Sequence, residues 1–243
     1  MLDDCESIYA LAQWALAASR SLSTMIDERT TDHSLDYDPV YDGESEWRIL
    51  SPVDHPGEPS RLLVSGTGLT HLGSAKERQA MHGLKETELT DSMRMFRSGV
   101  DGGRPAPGQI GIAPEWFYKG NGTILRAHGE PLVIPPYAED GGEEAEIAGV
   151  YVIAQDGQPW RIGMCNGNEF SDHRFEKKNY LNLAGSKIRT CALGPELIID
   201  PDAEWTVEPE MFASKGRNTP LAGRTLRGRV VTTVYGGRIV WRT

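Results

Sequence analysis

Cysteine is scarce in this 243-residue chain, and positive charge falls short of negative. Cys5, Cys165 and Cys191 form no Cys-x-x-Cys pair, and an odd count cannot fully pair. The chain need not be disulfide-stapled, and a reducing cytoplasm is the compartment that fits. Long apolar runs are missing as well. The longest, Ile8 to Ala18, is broken by Gln13 and is too short for a bilayer crossing, which takes about 20 residues. Asp3, Asp4 and Glu6 before it carry the wrong sign for a secretory signal. Lys and Arg number 25 against 35 Asp and Glu, for a net charge of −10 and a pI near 5.1. No global positive field draws in phosphate backbones or anionic lipid, so neither nucleic acid nor membrane is expected as a partner.

What remains is an ordinary globular composition, roughly 47% apolar with glycine counted, and length enough for a real core. From Ser7 to Ile26 the apolar residues Ile8, Leu11, Ala15, Ala18, Leu22 and Met25 step by three and four, which predicts one amphipathic N-terminal helix. The acidic, turn-rich text from Asp27 to Arg61 reads as a linker with one short strand near Trp47 to Leu50. Leu62 to Ser65 reads as a strand running into Gly66-Thr67-Gly68, and Ser74 with Glu77 has the form of a capping box opening a helix toward Glu88. Gly99 to Gly108 reads as a loop or lid. Beyond Trp116 short runs such as Thr123 to Leu125, Leu132 to Ile134 and Ile147 to Ala154 alternate with turn signals and predict an antiparallel, β-rich core. Arg229 to Tyr235 and Arg238 to Trp241 flank Gly236-Gly237, a hairpin signal.

The acidic run Glu139 to Glu146 leads directly into the apolar run Ile147 to Ile153. On a strand Glu144 and Glu146 share a face, and two like charges held there need a counter-charge. A divalent cation is the economical one, with carboxylates favouring Mg²⁺, Mn²⁺ or Ca²⁺ over zinc. A solvated acidic loop before a strand has the same sequence. Glu169, inside Asn166-Gly-Asn-Glu-Phe-Ser-Asp172, follows a further expected strand, and Lys187 precedes a Gly-Pro turn. Taken singly, Glu169 is also a loop acid, Lys187 a surface lysine and His71 a structural histidine.

The ordered series Glu-x-Glu-Ile-Ala, Asn-Glu-Phe-Ser-Asp, and Ser-Lys followed by Leu-Gly-Pro-Glu-Leu resembles the fumarylacetoacetate hydrolase family. Together with Ser65 to Ala75, Pro114 to Lys119 and Ala138 to Glu144, it looks similar to the GguC-type branch linked to sugar-acid catabolism, over about residues 2–197. The resemblance implies a β-rich α+β fold of fumarylacetoacetate-hydrolase-like mixed β type, incomplete here, with an N-terminal helix and a C-terminal β-hairpin. It also implies a homodimer in the cytoplasm, Mg²⁺ or Mn²⁺ on three carboxylates, and a small 2-oxo acid as substrate. Glu144, Glu146 and Glu169 match the three metal ligands, the third being Asp in most of the family. Lys187 matches the lysine that binds a substrate oxygen, and His71 stands near the family's histidine base. Ser74 occupies the position where many members place the glutamate of that histidine's dyad.

After Leu197 the text changes. Asp200 to Val207, Phe212 to Pro220, Leu226 to Val231 and Gly236 to Trp241 resemble the C-terminal end of dihydroorotases and related cyclic amidohydrolases. The expected organisation is an N-terminal helix and linker (1–61), a truncated catalytic core (62–197) and a dihydroorotase-like tail (198–243). The expected function is a divalent-metal-dependent hydrolase or lyase acting on a 2-oxo or diketo acid, of which a deoxy sugar acid is one candidate. The alternatives are a non-catalytic metal-binding β core and, third, an amidohydrolase fragment, for which the barrel motifs have no counterpart in the sequence.

Overall fold

A computed structural model describes residues 2–55, 57–68, 91–113, 115–212, 217, 219, 221–235 and 238–242. His71 and the expected helix from Ser74 to Glu88 lie outside them.

The N-terminal helix is two. Ile8–Ala17 is capped by Ser7 and Leu22–Arg29 by Ser21, each hydroxyl accepting a first-turn amide, and Ser19 between them is left-handed at φ 54°. Period alone runs the apolar face through this break. A second capping serine stops the first helix and starts the next. The two helices close on Leu11, Ala15 and Met25, with Leu2, Cys5, Ile8, Leu22 and Ile26 packed around them. No strand forms near Trp47 to Leu50 or at Leu132 to Ile134. Asp91–Gly102 is a helix that runs into the glycine-rich stretch expected to be loop.

Two sheets carry the rest. β1 (Leu63–Gly66) pairs antiparallel with β2 (Phe117–Asn121) to make a two-stranded arm. A single 3₁₀ turn, Gly122–Ile124, replaces most of the strand expected there and leads into short β3 (Leu125–Arg126). The main sheet runs β4 (Ala145–Ile153), β5 (Pro159–Asn168), β6 (Cys191–Thr206), β7 (Thr225–Tyr235) and β8 (Arg238–Arg242), all antiparallel, with β3 added parallel to β6.

β6 is continuous across residue 197. Its first part pairs with β5, from Ala192 opposite Asn168 to Glu196 opposite Cys165, and from Glu196 onward it pairs with β7 as far as Thr206 opposite Thr225. A bulge lies where Pro201, which has no N–H for the ladder, would sit. Asp200 there accepts the amides of Asp202 and Ala203, and Gly228 opposite takes φ 90°, open to glycine and costly for other residues. The free cysteines Cys165 and Cys191 are buried. Among the described residues no helix is long and apolar enough to cross a membrane.

Candidate metal centre

The start of β4 faces the end of β5. Ala145 is opposite Asn168, and the next rung outward is closed by the Glu169 amide donating to the Glu144 carbonyl at 2.9 Å. Glu144, immediately before β4, Glu146, its second residue, and Glu169, across from Glu144, therefore come together. An oxygen from each lies within 4.8 Å of the other two. Lys187, the last residue of the short helix Leu183–Lys187, enters the same space with its side chain only 4% exposed. Its Nζ donates to Glu144 Oε1 at 2.7 Å and Oε2 at 2.8 Å and lies 3.6 Å from Glu169 Oε2.

Burial governs the charges. Desolvation pushes the Glu169 carboxyl up to about 7, with Lys187 working against the rise and Glu144 adding to it. Burial acts upward on Glu144 too, but the charge and hydrogen bonds of Lys187, helped by His173, hold it below the usual carboxylate range. Glu169 Oε1 is buried with no hydrogen-bond partner among the described residues. An orphaned oxygen in a set of three carboxylates is a hard donor cluster of the kind that suits Mg²⁺.

Four residues complete the surroundings, none of them a candidate site residue from the sequence. Lys119 on β2 is 2% exposed and donates to the carbonyls of Phe170 (2.8 Å) and Lys187 (2.9 Å); burial holds its ammonium below the usual range, against the pull of Glu169. It thus ties the arm to the residue after Glu169 and to the backbone of Lys187. Its strand neighbour Phe117 presents its ring 5.5 Å from Lys187 Nζ. At Gly66 an added Cβ would stand 2.3 Å from that ring and 2.9 Å from Glu169 Oε1, so the arm reaches the site only because glycine is there. His173 Nε2 lies 2.9 Å from Glu144 Oε1. The signals were the period-two pair Phe117 and Lys119 and the position of His173 four residues after Glu169, both visible only once the strands are paired.

Behind the site is a buried knot. The Asp172 carboxylate accepts the amides of Glu139 (2.7 Å) and Phe175 (2.9 Å) and pairs with Arg189 at 3.2 Å. Arg189 also donates to the carbonyls of Asp140 and Ser171, each at 2.9 Å. Burial works upward on Asp172, yet these amides and Arg189 hold its pKa below the usual value. One ion pair thereby fastens the segments that carry Glu144, Glu169 and Lys187.

No protein-family model matches the chain. Among curated proteins, dihydroorotases match short stretches. That of Anaeromyxobacter sp. (strain K) is 58% identical over 43 residues, 18% of this chain and 10% of that protein. That of Halalkalibacterium halodurans is 57% identical over 44 residues, again 18% and 10%. The chain thus spans about a tenth of the length of these curated relatives. Solved structures cover far more. 2-keto-3-deoxy-D-arabinonate dehydratase complexed with magnesium and 2,5-dioxopentanoate aligns at TM-score 0.51 and 21% identity, covering 80% of this chain and 57% of that one. The apo form of that dehydratase aligns at 0.52 and 22%, covering 79% and 56%. The fold is therefore fumarylacetoacetate-hydrolase-like, mixed α+β, and spans a little over half of those structures.

Proposed function

We propose that the chain is a Mg²⁺-dependent lyase or hydrolase of a 2-oxo acid, of the 2-keto-3-deoxy sugar acid class, with Glu144, Glu146 and Glu169 as the metal's ligands. The observation that carries this is three converging carboxylates with a buried lysine between two of them, in the fold of a dehydratase solved with magnesium. Of the two ions the family resemblance implies, magnesium is the one named with that neighbour. When bound, the metal polarises a 2-oxo group and supports the enolate formed next to it.

The chain's own residues take the other parts. Lys187 supplies a second positive centre where the enolate oxygen gathers charge. The buried side chains of Phe117 and Lys119 on the arm keep water from one side of it. Loss of water from a 2-oxo-3-deoxy acid takes a proton from the carbon beside the oxo group and hydroxide from the next. His71, on the strength of the family resemblance, is the proposed base for that proton. The finer placement in the GguC-type branch, the homodimer, and the division at 61 and 197 belong to the same proposal. Exposed Ile147, Tyr151 and Ile153 on one face of β4 support the homodimer.

The test is incubation of the purified chain with Mg²⁺ and a 2-keto-3-deoxypentonate, followed by mass spectrometry. Loss of 18 mass units that stops in Glu146→Gln supports the reading. Mg²⁺ binding without exchange of the substrate's C3 proton for solvent deuterium favours a non-catalytic metal-binding core.

A further inference from the structure

Glu144 is held from two sides. Lys187 Nζ and His173 Nε2 converge on Oε1 at 2.7 and 2.9 Å, whereas on Oε2 the nitrogen donor among the described residues is Lys187, at 2.8 Å, beside the neighbouring Glu169 carboxyl. An oxygen with two donors has spent both lone pairs, so Oε2 is the oxygen with capacity left for a cation. The imidazole is itself placed with care. His173 opens the helix His173–Lys178, and its amide donates to Asp140 Oδ1 at 2.9 Å. Its ring lies so close over Gly142 that an added Cβ would stand 2.4 Å from Nδ1. Asp140, Gly142 and Glu144 belong to one segment, which is therefore locked to His173 through backbone, packing and side chain. The ring is 46% exposed and fills no core, so this placement serves the carboxylate.

We propose that His173 is a positioning residue that holds Glu144 to one-oxygen coordination and so biases the centre toward Mg²⁺ over Ca²⁺. The inference rests on the metal reading above. Mg²⁺ takes single carboxylate oxygens in a tight octahedron, whereas Ca²⁺ accepts more ligands and bidentate carboxylates. The neutral imidazole suffices, with the proton on Nε2. Freed from His173, Glu144 turns to offer both oxygens, which costs Mg²⁺ and not Ca²⁺.

The experiment titrates MgCl₂ and CaCl₂ separately into the full chain and reads the melting midpoint. Three variants run beside it: His173→Ala, His173→Asn, too short to reach Oε1, and His173→Gln, whose amide N–H does reach it. The expected result is a loss of Mg²⁺ affinity of about tenfold in Ala and Asn, with Ca²⁺ affinity held or raised and Gln close to the parent. An unchanged Mg²⁺ to Ca²⁺ ratio in Ala and Asn, or a Gln variant no better than they are, overturns the proposal and leaves the metal centre standing. A parent that responds to neither ion overturns both.

Discussion

At the scale of single residues the proposed metal centre depends on protons as well as on the cation. Glu169, held near 7, must give up its proton to act as a ligand, so each pH unit below 7 costs about tenfold in apparent Mg²⁺ affinity. The sign for stability follows from the same value. Between the unfolded carboxyl's pKa, about 4.3, and 7, the folded chain binds the extra proton, so this group's contribution falls as pH rises through that window. Melts with and without Mg²⁺ at pH 6 and pH 8 check this: the Mg²⁺-induced rise should be larger at pH 8, and Glu169→Gln should abolish the difference. Lys187→Met removes the main counter-charge of Glu144 and should cost about 3–5 kcal/mol at pH 8, less at pH 5, where a buried Glu144 released from Lys187 takes up a proton; urea unfolding at the two pH values measures it. Glu144 and Glu146 were legible in the sequence because strand period fixes a shared face. Lys119 and His173 were not, since their partners stand 51 and 29 residues away and only strand pairing brings them near.

Secondary-structure elements show where local pattern stops being informative. β4, β7 and β8 follow directly from apolar runs between turn signals. The break between the two N-terminal helices does not, because Ser19 to Ser21 leave the three–four apolar spacing intact while changing the backbone. β6 is hidden by Gly194, Pro195 and Pro201, residues that read as turns yet lie on a strand whose bulge and edges accommodate them. Thr232, buried in the middle of β7, pairs with Ile198 on one side and Arg242 on the other. Thr232→Pro should therefore cost about 3 kcal/mol or more, and hydrogen exchange should show lost protection in β6 beyond residue 197 and in β8. If only β8 loosens, β6 stands without the tail. Asp172 acts at this scale too, since it caps one helix and binds Arg189 with both side chains almost wholly buried. Asp172→Ala should destabilise by about 3–5 kcal/mol. Its lowered pKa means that the parent keeps this contribution above the unfolded Asp value, near 3.9, and loses it only in stronger acid; acid titration of the melting midpoint reads the difference.

For the whole molecule the relevant quantity is the net charge of −10, which acts on the two ligands of the proposed reaction with opposite signs. Its long-range field gathers Mg²⁺ and repels a 2-oxo acid anion, so the local cations must reverse the field within the site. Screening weakens both effects once the Debye length falls to about 10 Å, near 0.1 M salt. Raising NaCl from about 10 to about 150 mM should therefore weaken Mg²⁺ binding severalfold. At saturating Mg²⁺ it should speed the association of oxalate, a planar dianion shaped like a pyruvate enolate. Stopped-flow mixing of the Mg²⁺-loaded chain with oxalate at the two salt concentrations gives the rate. A rise with salt shows that the anion meets the acidic surface before it meets Lys187 and the metal. A fall shows that a positive path leads to the centre, one drawn by the arginines and lysines of the chain in spite of its net charge. Because Lys187 is buried and short-ranged, Lys187→Met should leave the direction of that salt effect unchanged while lowering the affinity itself. Separating the two responses distinguishes steering by the whole surface from binding by one residue.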